Sequence, residues 1–355
     1  MDGPCFFNSQ EFEQLDRESE RMTQEMEFRN KVNWVSIICA ILVVFLHSYS
    51  FSSGSENTLA YHLEFFISRN IAQASVPTFF ALSAFLFYRN FDYSKLRSKY
   101  YSRLKSLVLP YLIWNAISMA AFYFISKLSF INMESFEINL HTLKAGILFF
   151  RYNHVFWFVY QLILLTYLFP LVYPVLKNKI ISVVLFALMI WMYATERTVF
   201  LCFEVKALIY YSFGAYFAVH HESAVVSNRK ISAVGVVAFL ISQVMIYSSY
   251  ADTLIVTIVA RLLMIVAVFY FANLFNGRTM PAILNCSFPI YAMHNLILEF
   301  FNKVFSFILN PASNWILIDY FGSAVMTVVI IAVINMVLLK KFPKLHTVLF
   351  GGRGK

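Results

Sequence analysis

Charged residues are scarce in this sequence, and their scarcity excludes most classes of soluble protein. Asp, Glu, Lys and Arg together make up 13% of the 355 residues, whereas apolar residues make up 60%. Many of the apolar residues lie in runs of about twenty, which is long enough to cross a bilayer as a helix. The sequence therefore predicts an all-α integral membrane protein, with no soluble domain beside the spans and their short connections.

Cysteine motifs and glycine-rich loops are also absent. The four cysteines are scattered, without a CxxC pair or a Cys/His spacing, so neither a disulfide framework nor a metal site is predicted. The ten glycines form no phosphate-binding loop. A net charge of +9 would indicate a nucleic-acid partner in a soluble protein. Here the placement of Lys and Arg around the predicted spans accounts for the charge, and we expect no nucleic-acid partner.

Ten apolar segments predict about ten transmembrane helices in one bundle. They lie at residues 32–51, 71–88, 107–127, 155–175, 180–195, 199–219, 231–249, 253–274, 283–302 and 315–339. With the N-terminus in the cytoplasm, the cytoplasmic segments hold 20 Lys and Arg, and the opposite side holds 7 when the outer ends of the spans are counted with the loops. The positive-inside rule then places both termini in the cytoplasm.

The predicted spans divide the chain into three parts. Residues 1–31 hold many carboxylates and lack the basic start and apolar core of a signal peptide, so we expect a cytoplasmic tail there. Residues 32–339 form the membrane domain, and residues 340–355 form a basic cytoplasmic tail.

One ionisable side chain, His47, lies near the far end of the first predicted span. At about 1.5 Å per helical residue it is roughly 21 Å into a hydrocarbon layer about 30 Å thick. A group that can carry charge is costly at that depth, so it usually faces a cavity, a partner or a reaction. Histidine also exchanges a proton near neutral pH. Both a catalytic role and a structural hydrogen bond to another helix fit this position.

Further polar side chains fall into layers of the predicted bundle. His154 lies at the outer start of the fourth span, and His294 lies near the middle of the ninth. Arg103 and Lys105 approach the third span from the cytoplasmic side. A bundle with histidines at its centre and cations at one mouth suits either transport across the membrane or catalysis with reactants from both sides. The spacing does not choose between these two functions.

Five sequence blocks, in this order, resemble the membrane acyltransferase 3 family over roughly residues 30–340. The blocks are ILVVFLHSYS, SVPTFFALSAFLFYRNF, RLKSLVLPYLIWN, HVFWFVYQLILLTYLFPLVYPVL and SFPIYAMHNLIL. Among subgroups, the chain looks closest to the surface-polysaccharide O-acetyltransferases. The resemblance implies a ten-span enzyme of the bacterial cell membrane. Such enzymes move an acyl group, commonly acetyl, from cytoplasmic acyl-CoA to hydroxyls of surface or secreted glycans, without a permanently bound cofactor.

The implied reaction assigns roles to particular residues. His47 suits the general base that takes the hydroxyl proton, and His294 is a second catalytic candidate. His154, Tyr291 or Trp114 can donate hydrogen bonds to the developing oxyanion. Cations bind the phosphates of coenzyme A, and the candidates are Arg103, Arg97 and Lys105. The remaining candidates for donor or substrate binding are aromatic: Tyr111, Trp157 and Tyr160.

The sequence departs from the family pattern at two basic positions. Ser36 stands eleven residues before His47, where the family usually has an arginine, and Asn33 stands where an aspartate is frequent. Ser106 replaces the second arginine of an Arg-x-x-Arg motif that begins at Arg103. Two alternatives therefore stay open beside the acyltransferase: a transporter or flippase for a glycan or lipid-linked sugar, and a catalytically degenerate homologue.

Overall fold

The structure is a computed structural model that describes residues 9–49, 58–127, 139–226, 232–248, 253–275, 277–308 and 316–352. Within these ranges the chain is almost entirely helical. Its α-helices are α1 (Ser9–His47), α2 (Leu59–Phe65), α3 (Ser75–Tyr88), α4 (Leu96–Arg103), α5 (Leu109–Ser126), α6 (Leu140–Leu148), α7 (Trp157–Leu168), α8 (Tyr173–Leu176), α9 (Lys179–Ala194), α10 (Val205–His220), α11 (Glu222–Val226), α12 (Ser232–Ile246), α13 (Leu254–Phe271), α14 (Ser287–Ile308), α15 (Ile316–Lys341) and α16 (Pro343–Phe350).

Short irregular helices join several of these elements into longer rods. Two π-helical turns, Phe66–Ile71 and Leu104–Val108, connect α2 toward α3 and α4 to α5. The shorter connections are 3₁₀-helical: Ala72–Ala74, Tyr93–Lys95, His154–Phe156, Phe169–Val172, Ala272–Phe275 and Ala282–Leu284.

The π-helical turn before α3 is held by a neighbouring helix, because Arg261 of α13 donates hydrogen bonds to the carbonyls of Asn70 (2.9 Å) and Arg69 (3.1 Å). Arg261 thus ties α13 to this turn.

The ten predicted spans coincide with helices of the structure, although only some helices have the dimensions of a span. Six described helical segments are long and apolar enough to cross a membrane: Glu13–His47, Leu59–Tyr88, Tyr93–Phe124, His154–Leu176, Leu254–Phe275 and Ile316–Lys341. Two further apolar helices, Lys179–Ala194 and Ala233–Ile246, are shorter.

The predicted helix over residues 199–219 is wrong at its beginning. Residues 199–204 form an antiparallel hairpin of β1 (Val199–Phe200) and β2 (Phe203–Glu204). The side chain of Gln161 holds this hairpin, since its amide donates to the carbonyl of Cys202 (3.3 Å) and accepts from the amide of Glu204 (3.1 Å). These side chain–backbone bonds satisfy groups that a helix would otherwise satisfy.

Both predicted tails contain helix in their described parts. Residues 9–31 continue α1 outward from the apolar stretch, and Phe28 in this part is buried. At the other end, α16 folds back after α15 and buries His346 and Phe350 against the bundle.

Close packing in the core sets the positions of the helices that carry the candidate site. Helices α3 and α10 touch at Gly214, where a β-carbon would lie 1.9 Å from the carbonyl oxygen of Ala81. Only glycine permits this approach. Helix α1 packs on α14 through small and branched side chains, including Ala40, Val44 and Ile290. This contact brings the end of α1 beside the middle of α14.

Candidate active site

Three histidines from distant parts of the sequence meet inside the bundle. The ring centroid of His47 lies 5.3 Å from that of His294 and 6.0 Å from that of His154. His154 is exposed, His47 is half-buried and His294 is fully buried. The three rings therefore lead from the molecular surface into the core, with His47 in the middle.

His47 is the last residue of α1, and the chain on both sides of it is anchored. The carbonyl of Phe45, which the ending helix leaves without an intrahelical partner, accepts hydrogen bonds from the hydroxyls of Ser68 (3.0 Å) and Tyr320 (3.3 Å). Just after the histidine, the hydroxyl of Ser48 donates to the carbonyl of Tyr320 (2.8 Å). These bonds fix the backbone that presents the His47 ring.

His154 is held in place by its neighbours in the sequence. The amide of Asn153 donates to the hydroxyl of Ser118 (3.1 Å), and the hydroxyl of Tyr291 donates to the carbonyl of Val155. Anchors on both sides of His154 fix its backbone while its ring stays exposed.

The hydrogen bonds of His294 define its tautomer. Its Nδ1 lies 2.8 Å from the carbonyl oxygen of Tyr291 and 3.2 Å from that of Ile290. A carbonyl can only accept, so Nδ1 carries a proton, and in the neutral ring Nε2 then carries a lone pair. This Nε2 is buried and has no hydrogen-bond partner among the described residues. It is available to accept a hydrogen bond or a proton within the cluster.

A cavity of about 330 Å³ contains a cation and borders Tyr291, a neighbour of His294. Arg103 lines it, and among the described residues no group pairs with the guanidinium or accepts a hydrogen bond from it. Tyr291 lines the same cavity, and its ring centroid lies 6.1 Å from that of His294. Tyr291 thus joins the cavity of Arg103 to the histidine cluster. Ser36 and Asn33, at positions where the family pattern differs, also line this cavity.

Three polar residues of the cavity, Ser83 of α3 and two near the start of α14, were not singled out in the sequence. Asn285 and Ser287 line it, at the point where α14 begins. The first turn of a helix offers free N–H groups and a partial positive charge, so this edge favours an anion together with Arg103. The signal was available, because a polar residue shortly before Pro289 and an apolar run is typical of a helix start.

The structure separates the other predicted cations from this cavity. Lys105 is exposed, and its ammonium lies 4.3 Å from the ring centroid of Tyr101. Arg97 is also exposed and borders a second, open cavity of about 760 Å³ with Tyr100 and Tyr167. Of the three predicted phosphate-binding cations, only Arg103 lines the cavity that reaches Tyr291.

The predicted aromatic residues lie at different distances from the histidines. Tyr111 and Tyr160 are near each other, with ring centroids 6.3 Å apart, and the hydroxyl of Tyr111 donates to the carbonyl of Ile147. Tyr111 reaches Tyr291 through one intervening ring, that of Phe156, with centroid distances of 6.0 and 5.5 Å. These side chains form a continuous aromatic wall behind Tyr291.

Two tryptophans have other partners. The indole N–H of Trp114 donates to the carbonyl of Leu349 in α16 (3.0 Å), so the structure does not bring it to the histidines as a free donor. Trp157 opens α7 beside the hairpin, where the ammonium of Lys206 lies 5.0 Å from its ring centroid. Lys206 in turn forms an ion pair with Glu204 (2.8 Å).

The side chains of the cluster offer the chemistry of imidazole. Among the described residues no group of three or more His, Cys, Asp or Glu side chains has an arrangement that could hold a metal ion. A half-buried histidine between an exposed one and a buried neutral one can accept a proton from a reactant and receive hydrogen bonds from its neighbours.

Comparison with known proteins identifies one family. The family described as "Acyltransferase domain" matches residues 29–336 of the chain, which include all three histidines and Arg103. No curated protein and no solved structure matches the chain.

Proposed function

The chain belongs to the acyltransferase 3 family and is a membrane acyltransferase, and from this premise we propose that it transfers an acetyl group to a glycan. The donor is cytoplasmic acyl-CoA, and the acceptor is a hydroxyl of a cell-surface or secreted glycan. The protein acts in the cell membrane of a bacterium. The observation that carries the proposal is the position of His47 between His154 and His294, with Tyr291 linking His294 to a cavity that contains Arg103.

In the proposed reaction His47 is the general base. The acceptor oxygen attacks the carbonyl carbon of the thioester while its proton moves to a ring nitrogen of His47. The C–S bond breaks, and the coenzyme A sulfur leaves and takes up a proton. An imidazole has the right basicity for this transfer, and base catalysis is typically worth about 10²–10⁴-fold in rate.

The neighbours of His47 support the charge that develops during the reaction. Nε2 of His294 carries a lone pair, so it can accept a hydrogen bond from an N–H of His47 when that ring becomes protonated. His154 is exposed beside His47, where its ring can donate to the oxyanion that forms on the thioester carbonyl. The exposed side of the cluster is then the entrance for the acceptor.

The donor lies in the cavity of Arg103. A guanidinium without a carboxylate partner, together with the start of α14, favours a phosphorylated ligand. Tyr291 borders both this cavity and the ring of His294, so an extended donor with its phosphates near Arg103 can direct its thioester toward the histidines.

The test compares two substitutions of His47 in cells. A strain that lacks the gene receives the wild type, His47→Ala or His47→Gln, and O-acetyl esters of the surface glycan are measured by NMR. Glutamine keeps hydrogen bonding but takes no proton, so we expect both variants to lower the ester content about 10²-fold or more. Protein amounts in the membrane and thermal midpoints are matched.

His141→Gln is the matched control. His141 is an exposed histidine on α6, outside the cluster, and we expect normal O-acetylation from this variant. An active His47→Gln variant would remove His47 from the role of base. A wild-type strain and a deletion strain with the same O-acetyl content would contradict the proposed acceptor.

A further inference from the structure

A second basic side chain, Lys31, is buried in an apolar part of the molecule. It directly precedes the apolar stretch of α1 and is 4% exposed. Its ammonium donates to the carbonyl of Val225 (3.3 Å) and lies 6.0 Å from the ring centroid of Tyr270. An ammonium has three N–H donors. Among the residues that the structure describes, no carboxylate pairs with it.

Lys31 lines a groove that is otherwise apolar. The groove has a volume of about 180 Å³. Its walls are aromatic and aliphatic side chains of α3, α10 and α13, such as Phe85, Phe213 and Phe269. The groove reaches the molecular surface at Val234 of α12, which is 42% exposed.

This groove is distinct from the cavity of Arg103. The two lie on different sides of α3, since Phe85 faces the groove whereas Leu82 and Leu86 face the cavity. A ligand of the groove therefore does not occupy the proposed donor site.

We infer that this groove binds an anionic phospholipid of the surrounding bilayer, with the phosphate at Lys31 and part of one acyl chain along the aromatic wall. A buried cation is unfavourable without an anion beside it, and the phosphate supplies that anion. An apolar groove that opens at a surface helix of a membrane protein is filled by the solvent there, which is lipid. Lys31 stands where the apolar run begins, at the level of the headgroups.

The test measures which lipids stay bound to the purified, full-length protein. Native mass spectrometry follows the protein in detergent with equal amounts of dioleoyl phosphatidylglycerol and dioleoyl phosphatidylcholine. We expect the wild type to retain the anionic lipid roughly tenfold better, because both lipids carry a phosphate but the quaternary ammonium of phosphatidylcholine offsets that charge beside the Lys31 ammonium. Lys31→Met should lose this preference, and Lys31→Arg should keep it.

Two further variants separate the groove from general surface charge. Lys340→Met removes an exposed lysine near the end of α15 and should keep the preference. Val234→Trp places a bulky ring in the mouth of the groove and should lower retention of both lipids. Thermal midpoints show whether each variant is folded.

Three outcomes would overturn the inference. In the first, the wild type retains both lipids equally. In the second, Lys31→Met and Lys340→Met lose the same fraction of anionic lipid. In the third, added oleate would displace phosphatidylglycerol from the wild type at equal concentration, which assigns the groove to a single-chain fatty acid.

Discussion

Arg103 and Lys105 are two residues apart, yet their side chains have different surroundings. Residues two apart on a helix do not share a face. Arg103 lines the cavity that reaches Tyr291, whereas Lys105 is exposed over the ring of Tyr101. Within the basic run from Arg97 to Lys105, Arg103 therefore lines a cavity, whereas Arg97 and Lys105 are exposed.

This difference predicts unequal effects of removing the two charges. Arg103→Ala should weaken binding of acetyl-CoA about 10- to 100-fold, because hydrogen bonds to charged groups contribute about 1.5–3 kcal/mol each. Lys105→Ala should change the affinity less than about twofold, since exposed charges are screened. Isothermal titration of the protein in nanodiscs measures both. If both variants lose the same affinity for acetyl-CoA, and high salt lowers the affinity of the wild type by as much, then only the net charge matters. Arg103 would then have no specific role in donor binding.

The sequence identifies single candidate residues, but it does not show which of them lie together in the folded protein. His47 stands out because an ionisable group in an apolar run is costly, and that argument needs no structure. That it lies beside His294 and His154 depends on the packing of α1 on α14 and on the segment before α7, contacts between residues more than a hundred positions apart. The bond from Trp114 to Leu349 likewise could not be predicted, since nothing local pairs those positions.

At the scale of elements, the position of α16 could not be predicted from its composition. Its eight residues begin with a proline, include a lysine and are far too few to span a membrane, so the sequence predicted only a basic tail. In the structure Phe350 is fully buried, with its ring centroid 6.0 Å from that of Trp114 and 6.5 Å from that of Phe288. Phe288 lines the cavity of Arg103. The C-terminal helix therefore supports one wall of the proposed donor site.

Gly351 shows how closely α16 approaches α4 and α5. Its φ of +68° lies in the left-handed region, and a β-carbon would lie 2.6 Å from the Cα of Ser106. Glycine suits this position for two reasons. It readily adopts the left-handed conformation at the end of a helix, and it has no side chain to obstruct the contact with Ser106. The small side chain of Ser106 fits the same close approach.

The packing of α16 predicts that truncating the side chain of Phe350 lowers the stability of the protein considerably. Phe350→Ala should destabilise the protein by about 3–5 kcal/mol, the usual range for a buried phenylalanine, and should weaken acetyl-CoA binding because Phe288 loses its support. Removal of residues 353–355 leaves α16 intact and serves as the control. Thermal denaturation of the detergent-solubilised protein gives the comparison. A Phe350→Ala variant as stable as the wild type would show that α16 is dispensable.

At the scale of the whole molecule, the number of membrane crossings depends on the shorter helices. A helix of 16 residues such as α9 is about 24 Å long, which is less than a hydrocarbon layer of about 30 Å. The apolar runs were easily found in the sequence, so every predicted span coincides with a helix. The hairpin at residues 199–204 was not predicted, because a short apolar run with Phe and Val fits strand and helix alike.

One ion-pair network constrains the path of the chain. Arg89 pairs with Glu25 (2.7 Å) and with Glu222 (2.6 Å). Burial by itself would lower the pKa of Arg89, but its hydrogen bonds to Glu222 and Glu25 raise it above the ordinary value, so the arginine stays charged. The three residues belong to the first predicted tail and to the loops after the second and sixth predicted spans. Groups in direct contact lie on one face of the membrane, so the chain crosses an even number of times between each pair.

The network and the loop charges together predict the topology. Reporter fusions after residues 97 and 225 should both report the cytoplasm, since position 97 follows Arg89, position 225 follows Glu222, and the positive-inside rule assigns that face. Fusions after residues 54 and 140 should report the outer side, where the exposed ring of His154 would meet its acceptor. An Arg89→Glu variant of the fusion at 97 tests whether the network itself sets the orientation, and we expect a lower protein yield with the same orientation, because the remaining basic loops still decide it. If positions 97 and 225 report opposite faces, the helices between them cross an odd number of times, and the ten-span arrangement is wrong.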